Sequence, residues 1–71
     1  MNDIFQQMAE KWPSAIVART QIEKFTGGLM SAKYIANLDC QAGQGPVRVR
    51  CGRKVAYPVD SLVAWLRDRS N

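Results

Sequence analysis

Val47 to Pro58 reads VRVRCGRKVAYP. Valine alternates with arginine, a Gly-Arg-Lys corner follows, and a second alternation runs into a proline. A period of two is the spacing of a strand with unlike faces. Two such runs about a glycine corner predict a β-hairpin. Arg48, Arg50, Arg53 and Lys54 fall within seven residues with no acid among them, so the ribbon is apolar on one side and cationic on the other. Residues opposite each other in a hairpin share a face. A two-residue loop at Gly52-Arg53 would set Arg50 against Val55 and Cys51 against Lys54, mixing the faces. An odd loop, Gly52-Arg53-Lys54, sets Cys51 against Val55 and Val49 against Tyr57. The expectation is therefore an odd loop with Arg53 or Lys54 at its tip and Cys51 as a small buried strand residue.

The charge is concentrated on the same stretch. The chain of 71 residues carries ten bases, six acids and a net charge of +4. Residues 40–59 hold the four hairpin cations and no acid, and the rest of the chain balances six bases against six acids. A localised basic face is the electrostatic footprint of a polyanion binder.

Size and composition bound the remaining choices. The length fits one domain over 1–71, and a hydrophobic fraction of 46% is that of a globular chain. No apolar run approaches the ~18 residues of a membrane span. The N-terminal MNDIFQQMAEKW lacks the basic-then-apolar layout of a secretory signal. A cytoplasmic location without membrane partners is expected, with Cys40 and Cys51 as free thiols. Histidine is absent, which removes imidazole bases and Cys/His metal sites. The sequence also has no glycine-rich phosphate loop of the usual spacing and no plausible carboxylate pair. No catalytic residue, metal or cofactor is expected, and the chain does not read as an enzyme.

Upstream of the hairpin, Ile4, Phe5, Met8 and Trp12 form a helical stripe that Pro13 stops, giving an N-terminal helix over 1–13 ahead of a core over 14–69. Ser14 to Ala18 reads as a strand or extended segment. Thr20 opens a capping box with Glu23, Ile22 and Phe25 point inward, and Gly27-Gly28 ends this helix. Leu29 and Met30 are expected to tuck under the turn. Ser31 is the N-cap of the next helix, in which Ile35 and Leu38 point inward and Lys33, Tyr34 and Asn37 lie on other faces. Gln41 to Pro46 is a loop. Downstream, Asp60 caps a last helix with Leu62, Trp65 and Leu66 as its inner stripe, and Arg67 and Arg69 are solvated charges suited to the helix dipole.

Two short helices joined by a glycine turn make a helix-turn-helix candidate, and a basic hairpin directly after it supplies a second grip on a duplex. The expected fold class is mainly α with a small β-hairpin (α+β), a winged helix-turn-helix with an extra N-terminal helix. The run from Ile16 to Leu66 resembles the MerR-like winged-helix domains of prophage AlpA-type regulators and phage excisionases. Carrying the resemblance are Thr26-Gly27-Gly28, Ser31, Ile35, Leu38, Gly45-Pro46, Arg48 to Tyr57 and Asp60 to Leu66. It implies sequence-specific binding of double-stranded DNA, in transcription regulation or in recombination. It also implies that the second helix of the pair, from Ser31, reads the major groove while Arg48 to Lys54 form the wing.

On physical grounds Lys33 suits a guanine edge or a phosphate, and Asn37 suits adenine or a C-terminal cap of its own helix. Tyr34 suits a phosphate, a thymine methyl or simple packing. Ser31 presents backbone N–H groups to a phosphate. Arg48, Arg50, Arg53 and Lys54 suit the DNA backbone or minor groove. A phage integrase or RNA polymerase is a further expected partner. Five residues follow Leu66, too few for the long helix through which MerR-type proteins pair, so a monomer that meets its neighbours only on DNA is expected. The alternative is a small protein-interaction module docking an acidic partner with the Ile4, Phe5, Met8 and Trp12 stripe and the basic hairpin.

Overall fold

Asp3 precedes the first helix of the computed structural model, which describes residues 3–41 and 44–69. Its carboxylate accepts the backbone N–H of Gln6 at 2.8 Å and caps α1 (Ile4–Lys11). The apolar stripe of this helix is only partly absorbed: Phe5, Met8 and Trp12 are half-buried against the core, while Ile4 is 62% exposed. Trp12 meets Phe25 edge-to-face at 5.2 Å and donates its indole N–H to the carbonyl of Ile16 at 2.9 Å.

β1 (Ile16–Ala18) leads into a 3-10 turn, Arg19–Gln21, and then α2 (Ile22–Phe25). Thr20 does not open a capping box. The helical turn already begins at Arg19, so Thr20 lies inside it, and neither the turn nor α2 has a side-chain cap. The expected glycine stop is present: Gly27 and Gly28 have φ +65° and +96°. Gly28 N–H bonds to the Glu23 carbonyl and Gly27 N–H to that of Lys24, a Schellman ending. The buried Thr26 hydroxyl accepts Met30 N–H at 3.1 Å and donates back to Ile22, which fixes the turn. Met30 packs on the core, but Leu29 does not tuck under: it is 73% exposed, because the turn needs only one apolar residue beneath it.

α3 (Ala32–Asp39) buries Ile35 and Leu38 and is capped by Ser31, whose hydroxyl accepts Tyr34 N–H at 3.0 Å. β2 (Val49–Cys51) and β3 (Lys54–Pro58) follow, and β3 runs directly into α4 (Val59–Arg69). Asp60 therefore lies in the first turn of α4 rather than at its cap. The inner stripe of α4 is Val59, Leu62, Val63 and Leu66; Trp65 is half-buried, its indole N–H donating to the Gln44 carbonyl at 3.1 Å.

The strands form one antiparallel sheet in the order β1-β3-β2. Among the described residues the domain is thus four α-helices and a three-stranded sheet, an α+β fold in which the expected hairpin gains β1 as a third strand. Val17 pairs with Tyr57, and both are fully buried against Ile22, Ile35 and Leu62.

The hairpin register differs from the expectation. Val49 pairs with Ala56, Arg50 with Val55 and Cys51 with Lys54, so Gly52-Arg53 is a two-residue turn and Lys54 already belongs to β3. Gly52 has φ +62° and Arg53 does not share the positive φ, the pattern of a type II′ turn. The odd loop was required only if the valines of β2 faced the core. β2 instead lies beyond it as an edge strand: Val49 is 48% exposed and Cys51 is exposed, not buried. No buried face acts on β2, so the turn sets the register.

Candidate nucleic-acid interface

The register turns the cationic side of the β2–β3 hairpin toward α3. Val55 and Tyr57 stand on the inner face of β3, and Arg50, opposite Val55, shares that face. Arg48, two residues earlier, lies on the same side and brings its guanidinium 3.6 Å from Asp39. Val49 and Cys51 point the other way, beside Ala56 and Lys54.

A groove of about 180 Å³ results between α3 and the hairpin, lined by Arg19, Ala36, Asp39, Cys40, Arg48, Arg50 and Val55. A second groove, of about 310 Å³, lies between the 3-10 turn and the hairpin tip, lined by Ala18, Arg19, Thr20, Arg53, Lys54 and Val55. Arg19 and Val55 belong to both and form the ridge between them.

The ridge is held by a polar network at the edge of the core. Asp39, with a side chain only 4% exposed, accepts Arg19 Nη2 at 2.5 Å and the Tyr57 hydroxyl at 2.6 Å, both on Oδ2. Tyr57 in turn accepts Arg19 Nε at 3.0 Å. The other carboxylate oxygen, Oδ1, is buried without a hydrogen bond among the described residues and has the Arg48 charge as its neighbour. Gly45 covers it: a Cβ there would stand 2.1 Å from Oδ1. Burial, reinforced by the hydrogen bond to Asp39, pushes the Tyr57 phenol above its ordinary value, so the hydroxyl stays a donor. For Arg19 burial opposes the charge, but the bonds to Tyr57 and Asp39 outweigh it and hold the guanidinium more firmly protonated than usual.

Lys33 and Asn37, one turn apart, are both exposed on the outer side of α3, away from Ile35 and Leu38. Asn37 does not cap the helix, which continues to Asp39 and closes at Cys40. Ser31 caps as expected. Tyr34 lies on a different flank, where its hydroxyl accepts Arg69 at 3.0 Å. Arg69 also stacks over Trp65, and Arg67 bonds to Asp3 at 2.9 Å over the Phe5 ring, so neither arginine is a merely solvated charge. Of the sequence-derived residues, Lys33 and Asn37 share a face, Arg48 and Arg50 line the groove beside it, and Arg53 and Lys54 line the groove beyond the ridge.

Sequence reasoning missed Arg19 and Asp39. Arg19 follows a β-branched strand, which gives no hint of the hairpin that β3 brings alongside. Asp39 did carry a signal: it follows Leu38 and lies four residues after Ile35, on the shoulder of the buried stripe, where an acid needs a partner. The two grooves together hold five cations, Arg19, Arg48, Arg50, Arg53 and Lys54, against the single carboxylate of Asp39.

Ile4, Met8 and Trp12 line a separate groove with Gln7, Lys11, Lys24 and Phe25, which shares no residue with those at the hairpin. No helix among the described residues is long and apolar enough to cross a membrane, and they contain no cluster of potential metal ligands. No protein-family model matches the chain, and no curated protein or solved structure matches it significantly.

Proposed function

We propose that this chain is a winged helix-turn-helix protein that binds double-stranded DNA sequence-specifically, as a prophage-type transcription regulator or an excisionase. In this reading α2 and α3 are the helix pair, and α3 enters the major groove with Lys33 and Asn37 toward the bases. The β2–β3 hairpin is the wing on the flanking backbone or minor groove. The observation that carries it is the turned register, which places Arg48 and Arg50 in the groove flanking α3 instead of on the far side of the sheet. A helix with exposed Lys33 and Asn37 and a row of cations along one flank has the two kinds of contact that specific binding needs, base-reading and backbone-positioning. The protein acts as a monomer on asymmetric sites or direct repeats, and it binds rather than catalyses.

The test is a duplex titration across a salt series with the parent and Arg50→Ala/Arg53→Ala. The double variant weakens binding to all duplexes alike, and each lost phosphate contact lowers the magnitude of the log-log salt slope by about 0.9. Parent-like affinity and slope in the double variant would refute the wing as the anchor.

A second reading has one observation in its favour. The α1 groove has an apolar lining with Lys11 and Lys24 beside it and no carboxylate in it, which suits an acidic protein partner. Such a partner would dock at α1 without sharing the wing.

A further inference from the structure

The groove between the 3-10 turn and the hairpin tip differs in chemistry from its neighbour. The groove beside α3 contains Asp39, whose carboxylate repels an anion. The groove at the tip has three cations, Arg19, Arg53 and Lys54, the hydroxyl of Thr20 and no carboxylate in its lining. The side chains of Arg53 and Lys54 have no hydrogen bond or ion pair to any described residue. Arg19 is held in place through Nε by Tyr57 and through Nη2 by Asp39. The two sides of the groove are far apart in sequence and are joined by the pairing of Ala18 with Ala56.

We infer that this groove is a phosphate-binding site, in which Arg19 and Thr20 on one side and Arg53 and Lys54 on the other clamp one phosphate group. Arg53 and Lys54 are adjacent cations with no acid in the groove lining, so they repel one another, and a bound dianion or phosphodiester relieves that repulsion. Charge-assisted hydrogen bonds to phosphate oxygens are stronger than neutral ones, and a tetrahedral oxyanion accepts several at once. Ala18 and Val55 add apolar lining that displaces water from those bonds. Contacts to a phosphate group carry no sequence information, so a phosphate held here fixes register without reading sequence. A phosphodiester of a nucleic-acid backbone and a small free phosphate share this chemistry. The first source rests on the DNA-binding reading above; the second does not.

Thr20→Glu places a carboxylate in the groove at an exposed residue that caps no helix. Ala64→Glu, at an exposed residue of α4, adds the same charge elsewhere. Both variants, checked for fold by circular dichroism, are titrated with random duplex at low salt, and the amides of Thr20 and Lys54 in the parent are followed by NMR during titration with duplex and with inorganic phosphate. The expected result is duplex binding about tenfold or more weaker for Thr20→Glu, as for the loss of one charge-assisted contact, and nearly unchanged for Ala64→Glu. Both parent amides then shift together on adding duplex. Saturable shifts with inorganic phosphate, together with no duplex binding, assign the site to a small phosphate and remove the DNA reading while leaving the site. Equal weakening of duplex binding by the two variants, or no response of either amide to either ligand, overturns the site.

Discussion

Tyr57→Phe isolates the polar network because it removes one oxygen and leaves the ring volume in the core. In the parent the hydroxyl donates to Asp39 Oδ2 at 2.6 Å and accepts Arg19 Nε at 3.0 Å. Asp39 is buried and its Oδ1 already lacks a hydrogen bond, so the loss leaves the carboxylate with Arg19 as its one hydrogen-bonding side chain among the described residues. A hydrogen bond to a charged group contributes about 1.5–3 kcal/mol, and a small domain loses roughly 4–8 °C of Tm per kcal/mol. A fall in Tm of roughly 6–24 °C is expected in thermal unfolding followed by circular dichroism. The variant should still fold, since a domain of this length has a total stability of about 4–10 kcal/mol. The pH dependence gives a second readout. The Tyr57 phenol is raised above its ordinary value, chiefly by burial, so the folded state holds this proton more tightly than the unfolded chain. Its contribution is complete below about pH 10, the value of an unfolded tyrosine, and is lost as pH rises through the higher folded value. The parent therefore loses more stability than Tyr57→Phe on going above about pH 10. A variant within about 0.5 kcal/mol of the parent, with the same alkaline slope, would refute the reasoning.

Two further substitutions separate reading from support. Lys33→Ala and Asn37→Ala should reduce preference for the specific site over random DNA by roughly 1–3 kcal/mol per lost bidentate contact; competition gel shifts check this, and equal losses on both DNAs would mean that neither residue reads bases. Gly45→Ala puts a Cβ 2.1 Å from Asp39 Oδ1 and must displace either the loop or the carboxylate. A cost of about 1–3 kcal/mol is expected in denaturant unfolding, and a parent-like midpoint would show that the loop yields freely.

The parts of the fold that rest on buried periodicity were legible. Ile35 with Leu38 and Ile22 with Phe25 announced the inner faces of α3 and α2, and Gly27-Gly28 announced the turn because only glycine takes its positive φ without strain. The hairpin register was not, although its residues suggested it most strongly. Val47, Val49 and Cys51 look like a core face, but a pattern specifies a register only where a core acts on it, and β2 lies at the edge. The i, i+3, i+4 spacing puts Trp65 with Leu62 and Leu66 on the inner stripe of α4 and leaves Val63 out. Its indole N–H needs an acceptor, which it finds at Gln44 on the rim, and the smaller valine takes the interior. Arg19 entered the site through strand pairing, which local sequence does not encode.

A carboxylate among five cations looks like a cost to a surface proposed to bind DNA, since it cancels one charge. Its position argues otherwise. Fixing a long side chain such as arginine costs up to about 2 kcal/mol of rotamer freedom. Asp39 and Tyr57 have already fixed Arg19 in the folded protein, through two hydrogen bonds at the edge of the core. Arg48, half-exposed and 3.6 Å from the carboxylate, is held only loosely. The side chains of Arg50, Arg53 and Lys54 have no hydrogen bond or ion pair among the described residues, so they keep their freedom and their full long-range attraction. On the proposed reading the cations therefore divide the work. The unheld ones draw in the polyanion and are ordered on contact, whereas Arg19 meets it already in place and sets where the backbone can lie. Asp39→Asn separates these contributions: it adds one net positive charge to the interface while weakening the hold on Arg19. If attraction alone governed binding, the variant would bind every duplex more tightly; if placement matters as argued, random duplex gains while the specific site loses its advantage, and competition between the two DNAs tells them apart.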